Sequence, residues 1–319
     1  MTLRVLVTTD GSDKDERAIA VAAALVELAD ADSRVLRVFQ PPISVGSASV
    51  GTLGVTGAPG GIREDAVRQV RDAAARLRTA VQRDVISEVV DGSDVAATLL
   101  DEIAKHDPDF VIMATRAAGA LGRAIHGGVA DRLVRESPTP VVLVPPRASY
   151  LGGKEVTLRR VLVPLDGSEI ALSVIPRLLE LPLANKLEFV LIQAVQPEPT
   201  GGHAMPPGTP NPDIEGSDDD EWSHVRAAVA ETRLGAVANR LRARGSHAEV
   251  RVIESRDPGA VIVDAVRNDL VELIAMSTRG ASGLRRMVLG SVAEYVVRRS
   301  EIPVLLVTAR SAAAVPLST

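Results

Sequence analysis

The sequence predicts an α/β protein built from two tandem, doubly wound, five-stranded parallel-sheet domains. Three observations carry that reading. Short apolar runs of four to eight residues alternate with longer runs of helical period. The chain repeats itself: "RVLVTTDGSD" at 4–13 returns as "RVLVPLDGSE" at 160–169. Beyond it, 89–144 aligns without a gap on 252–307, with roughly 20 of about 56 positions identical. Finally, hydrophobic residues make up 46% of the chain but aromatics only 2%, so the core must be built from Val, Leu, Ile and Ala. That composition suits parallel strands buried beneath helices.

The elements follow in order. In the first repeat, strands are predicted over 4–9, 34–40, 85–90, 109–115 and 141–144, and helices over 13–29, 64–83, 94–105 and 129–136. In the second, strands are predicted over 160–165, 187–195, 248–253, 271–276 and 304–307, and helices over 169–180, 222–244, 258–268 and 292–299. Helical crossovers between successive strands force them parallel. Each first strand ends on Asp-Gly-Ser, a turn and cap signal. Each second strand runs into a long Pro-, Gly- and Ser-rich loop, 41–61 and 197–220. The predicted division is a first domain at 1–146, a linker at 147–158, a second domain at 159–310 and a tail at 311–319. The last strand of each repeat, "PVVLV" and "PVLLV", is expected at a sheet edge. Mutual pairing of those edges would make a pseudo-dimer within one chain. A homodimer of whole chains is left open.

Composition excludes several functions. There is no cysteine, which removes disulfide scaffolds, thiolate zinc sites, iron–sulfur clusters and thiol nucleophiles. The net charge of −5, without a basic and aromatic pattern, argues against a nucleic-acid partner. The start lacks the pattern of a secretory signal, and no apolar run approaches a membrane span. The expectation is a soluble cytoplasmic protein without a membrane partner. The five histidines are scattered without ligand spacing, so no metal site is expected from them. No catalytic triad motif occurs. The acidic run "SDDDEW" at 217–222 reads as a solvated lead-in to a helix.

In a doubly wound sheet, ligands sit at the carboxyl ends of strands near the topological switch point. The loops after strands one, two and four are therefore the place to look. Asp10 and Asp166 end the first strands, and each carboxylate can cap a turn or accept from a nucleoside. After the fourth strand of repeat 2 comes "STRGASGLRRMVLGSVAEYVV", where Gly290 and Ser291 open a helix. Unpaired amides and the helix dipole there favour an anion, and glycines at Gly280 and Gly290 let a ligand approach. Arg279, Arg285 and Arg286 flank the loop with donors suited to phosphate.

These motifs resemble the universal stress protein family, over nearly the whole chain twice. The resemblance implies a Rossmann-like fold and binding of ATP or another adenine nucleotide, with or without Mg²⁺. Nucleotide-binding members carry Gly-x-x-Gly-x9-Gly-Ser/Thr after the fourth strand. Ser277, Gly280, Gly290 and Ser291 fit it at three of four positions, Ser277 replacing a glycine. The implied site adds Asp166 for the nucleoside, Pro164, Leu165 and Val195 along the adenine, and Val292 beyond Ser291. In repeat 1 the four positions hold Ala114, Ala117, Gly127 and Gly128, with Asp10 retained, so the first copy is expected to bind more weakly. The reading is a regulatory stress-response module. A slow ATPase and a nucleotide-free interaction scaffold are the alternatives.

Overall fold

A computed structural model describes residues 2–12, 15–41, 59–115, 128–146, 156–181, 184–197, 218–278, 289–308 and 311. Runs such as Val5-Leu6-Val7 and Val161-Leu162-Val163 carry no polar alternation because helices cover both faces of their strands. Val5, Val7, Val161 and Val163 enter one core, and Leu6 and Leu162 the other. Repeat 1 runs β1 (Arg4–Thr8), α1 (Asp15–Ala29), β2 (Asp32–Phe39), α2 (Pro59–Val81), β3 (Val85–Asp91), α3 (Val95–His106), β4 (Phe110–Ala114), α4 (Val129–Glu136) and β5 (Val141–Val144). Repeat 2 runs β6 (Arg160–Pro164), α5 (Glu169–Leu172), α6 (Val174–Leu179), β7 (Glu188–Val195), α7 (Asp218–Ala243), β8 (His247–Glu254), α8 (Pro258–Asn268), β9 (Leu273–Ser277), α9 (Ser291–Arg299) and β10 (Val304–Val307).

All ten strands form one sheet, in the order β3-β2-β1-β4-β5-β10-β9-β6-β7-β8. Each half is parallel, and its order reverses between β1 and β4 or between β6 and β9. The halves join where β10 pairs antiparallel with β5, Leu305 opposite Val142. The expected intrachain pairing of the two edges is therefore present, and it merges two five-stranded sheets into one. Both cores run through the seam. On one face Leu25 and Leu28 of α1, Leu178 of α6 and Leu305 surround a small apolar void. Among the described residues no helix is long and apolar enough to cross a membrane.

Several predicted bounds differ. The helix expected over 64–83 spans Pro59–Val81, so it takes up the end of the loop expected over 41–61. The helix expected over 169–180 is broken at Ser173 into α5 and α6. Pro176 has no N–H to give to the Leu172 carbonyl, and its ring crowds that carbonyl, so a continuous helix is excluded. The helix expected from 222 starts at Asp218, so the acidic run supplies its first turn rather than preceding it. The final helix of repeat 2 starts at Ser291, not 292.

Candidate functional site

The switch point of repeat 2 opens into a cleft of ≈ 590 Å³. Its floor is the carboxyl ends of β6 and β9, with Pro164, Leu165, Asp166, Met276, Ser277 and Thr278 lining it. One wall is the start of α9 (Gly290–Ala293) and Tyr295; the other is Ile192, Ala194 and Gln196 of the β7 end. Ser255–Gly259, between β8 and α8, close the far side.

Each group is held by its element. Asp166 Oδ1 accepts from the Ser168 N–H at 3.0 Å and its hydroxyl at 2.6 Å, and Ser168 Oγ caps α5 by accepting from the Ala171 N–H at 3.2 Å. Asp166 thus makes the turn and also lines the cleft. The Gly290 N–H donates to the Thr278 carbonyl at 2.8 Å, which holds the start of α9 against the end of β9. The Glu294 N–H begins the helical ladder by donating to the Gly290 carbonyl at 2.8 Å. The amides of Ser291, Val292 and Ala293 precede that ladder and have no partner within the helix.

Of the candidate residues in repeat 2, Pro164, Leu165, Asp166, Ser277, Gly290, Ser291 and Val292 are brought together at this cleft. Val195 is not among its lining residues. Side chains alternate along β7, and the cleft meets Ala194 and Gln196 instead. Arg279 and Gly280, with Ala117 and Gly127 of repeat 1, lie outside the described residues, as do Arg285 and Arg286. Gly290 is the N-cap of α9 and makes no side-chain cap bond, while Ser291 is the first helical residue. In repeat 1 Gly128 is likewise a cap without a side-chain bond. The copies therefore do not differ by a capping hydrogen bond at this helix. Sequence reasoning missed the contribution of Ser255–Gly259 because it looked only after strands one, two and four. Tyr295 was legible in principle, one turn beyond Ser291. A Cβ at Gly259 would stand 2.6 Å from the Tyr295 ring, so only glycine allows α8 and α9 to approach this closely.

The family is decided by comparison with known proteins. The universal stress protein family model matches residues 1–145 and again 157–308. This chain belongs to the universal stress protein family. It is 25% identical to a universal stress protein of Synechocystis over 318 residues, covering 94% of this chain and 98% of that one. A Mycolicibacterium smegmatis universal stress protein is 23% identical over 306 residues, covering 96% and 97%. In fold, it resembles the crystal structure of a universal stress protein from Archaeoglobus fulgidus, with a TM-score of 0.64, 19% identity and coverage of 96% and 98%.

The two copies of the fold in this universal stress protein differ at the first βα turn. Thr9 and Leu165 are equivalent: their N–H groups donate to Leu36 and Ile192 carbonyls at 3.0 and 2.8 Å. Counting on through Asp-Gly-Ser, Asp15 takes the place of Ala171. The Asp15 carboxylate is buried, accepts from the Thr9 hydroxyl, and accepts from the Gly11 N–H at 2.9 Å. Where repeat 2 presents Leu165 and Ala171, repeat 1 presents a hydroxyl and a buried acid. The glycine of each turn has positive φ, +77° at Gly11 and +82° at Gly167, and is roofed by an Arg and a Gln. The pair is Arg37 with Gln69 in one copy and Gln193 with Arg233 in the other, so the two residue types exchange between strand and helix.

Burial holds the Asp15 carboxyl above its ordinary range, against the lowering pull of the Thr9 hydroxyl. With a raised folded pKa, the folded chain binds the proton more tightly than the unfolded one. That contribution is complete below the unfolded value and is lost as pH rises through the folded value. Asp15→Asn is therefore expected to be more stable than the parent near neutrality, and to lose that advantage in acid. Urea unfolding from pH 4 to pH 8 checks this; a stability difference independent of pH contradicts it.

Proposed function

We propose that this universal stress protein binds an adenine nucleotide, ATP first, in the cleft of repeat 2, and acts as a cytoplasmic regulatory stress-response module rather than an enzyme. The supporting observation is the convergence of the β6 and β9 carboxyl ends with the first turn of α9 on one cleft. Amides and dipole at the start of α9 suit phosphate. Ile192, Ala194, Ile262 and Met276 offer an apolar seat for a purine, and Asp166 an acceptor for ribose hydroxyls. Repeat 1 binds nucleotide weakly or not at all, because Asp15 places negative charge in the equivalent position.

The test begins by denaturing purified protein and identifying any released nucleotide, followed by an assay of phosphate release. Retained ATP without turnover supports the regulatory reading, steady release an ATPase, and no nucleotide at any added concentration a scaffold. Titration of Gly290→Ala and Gly127→Ala variants tests the asymmetry. The first is expected to weaken binding roughly tenfold, equivalent to about 1.4 kcal/mol, and the second to leave it unchanged. Equal losses from both overturn the asymmetry.

A further inference from the structure

A second cluster lies on β3 and α3, away from the cleft of repeat 2. Glu102 and His106 are one helical turn apart on α3, and Glu88 faces them from β3. His106 Nε2 stands 3.0 Å from Glu102 Oε2 and 3.4 Å from Glu88 Oε2, and the ligand atoms of all three lie within 4.8 Å of one another. Glu102 is 8% exposed. The Nε2 atom is itself buried yet makes no hydrogen bond, so neither nearby oxygen lies where an N–H would aim. Two oxygens flanking a ring nitrogen off its axis leave its lone pair open to a ligand held between them. Metal–ligand bonds near 2.0–2.1 Å in a tetrahedron give edges of about 3.4 Å.

The equivalent corner of repeat 2 makes the contrast. There the three positions hold Arg251, Ala265 and Asp269. Arg251 pairs with Asp269, so one cation meets one buried carboxylate and no imidazole is present. Repeat 1 has instead gathered two carboxylates and an imidazole. Two cations also face them. Lys105 Nζ lies 2.8 Å from Glu102 Oε2 and 3.6 Å from Glu88 Oε1, and Arg34 pairs with Glu88. Lys105 is an exposed point charge on a flexible stem that an arriving metal can displace into water. Arg34 stays as the outer contact that orients the Glu88 carboxylate.

We propose that Glu88, Glu102 and His106 form a three-ligand site for a first-row divalent cation, with Zn²⁺ as reference and a fourth position open to water. The metal takes the Nε2 lone pair and one oxygen from each carboxylate, leaving the imidazole proton on Nδ1.

The experiment uses the untagged full-length chain, stripped by chelator, titrated with zinc chloride by calorimetry and with cobalt(II) by visible absorption. The expected result is one equivalent of Zn²⁺, lost in Glu102→Gln and His106→Gln and bound more tightly in Lys105→Met. No zinc uptake at micromolar concentration overturns the site, as does undiminished uptake by His106→Gln. If a variant fails to fold, the cobalt spectrum of the parent decides. Tetrahedral ligand-field bands support the site; the spectrum of hexaaqua cobalt overturns it.

Discussion

Ala171→Asp is expected to abolish nucleotide binding in the cleft of repeat 2, with a loss of about 100-fold or more. The substitution imports the carboxylate that repeat 1 carries at Asp15. In repeat 1 that acid has the Thr9 hydroxyl as donor. In repeat 2 the equivalent residue is Leu165, which has none. Ala171 is buried and lines the cleft, so the new charge would stand desolvated beside Asp166 and facing a polyanion. Its repulsion of the phosphates in a desolvated site is expected to be about 3 kcal/mol or more, and each 1.4 kcal/mol is a factor of ten in affinity. Calorimetric titration of ATP measures the loss. Ala171→Asn, of nearly the same size without the charge, separates electrostatics from bulk. Equal losses from both variants would assign the effect to volume. Undiminished binding in Ala171→Asp would remove the cleft as the nucleotide site.

The second large effect is expected at the seam. Leu305 on β10 is 2% exposed, stands opposite Val142 of β5 and faces the small void between the repeats. Leu305→Ala would enlarge that void rather than let it collapse, because the surrounding side chains belong to strands and helices of both halves. The expected cost is about 3–5 kcal/mol. For a chain of this size it corresponds to a fall in Tm of about 4–7 °C. Since one core cluster spans both repeats, the parent should unfold in a single transition. Differential scanning calorimetry tests both points. A loss under about 1 kcal/mol, or two well-separated transitions in the parent, would show that the halves are independent.

Much of the fold was legible because its determinants are local. Val5-Leu6-Val7 and Val161-Leu162-Val163 are buried on both faces and announce themselves as parallel strands. The internal repeat doubled every such signal. The break between α5 and α6 was also written locally, in Pro176, but periodicity alone passed over it. The site was legible where one short motif carries it, as in Asp166 and in Gly290 with Ser291. It was not legible where separate elements meet. Nothing near Ser255–Gly259 in the sequence places them against α9; the crossover of α8 onto the same face of the sheet does. Whether Val195 or its neighbours Ala194 and Gln196 meet the cleft depends on strand phase, which the apolar run VLIQAV leaves undetermined.

By itself, the sequence determined two parallel α/β repeats, their family resemblance, and a glycine-and-hydroxyl loop at a helix start in the second. These follow from periodicity, capping chemistry and spacing, all of which act over a few residues. Only the tertiary structure decided that β5 and β10 join the repeats into one sheet. Only it set Asp15 against Thr9 where Ala171 and Leu165 stand in the other copy, and brought Glu88 to Glu102 and His106. The seam depends on the register of strands far apart in the chain, while the other two depend on how neighbouring elements fold back across one turn. Their energies come from burial and charge at distances of a few ångströms, which no local pattern of residues encodes.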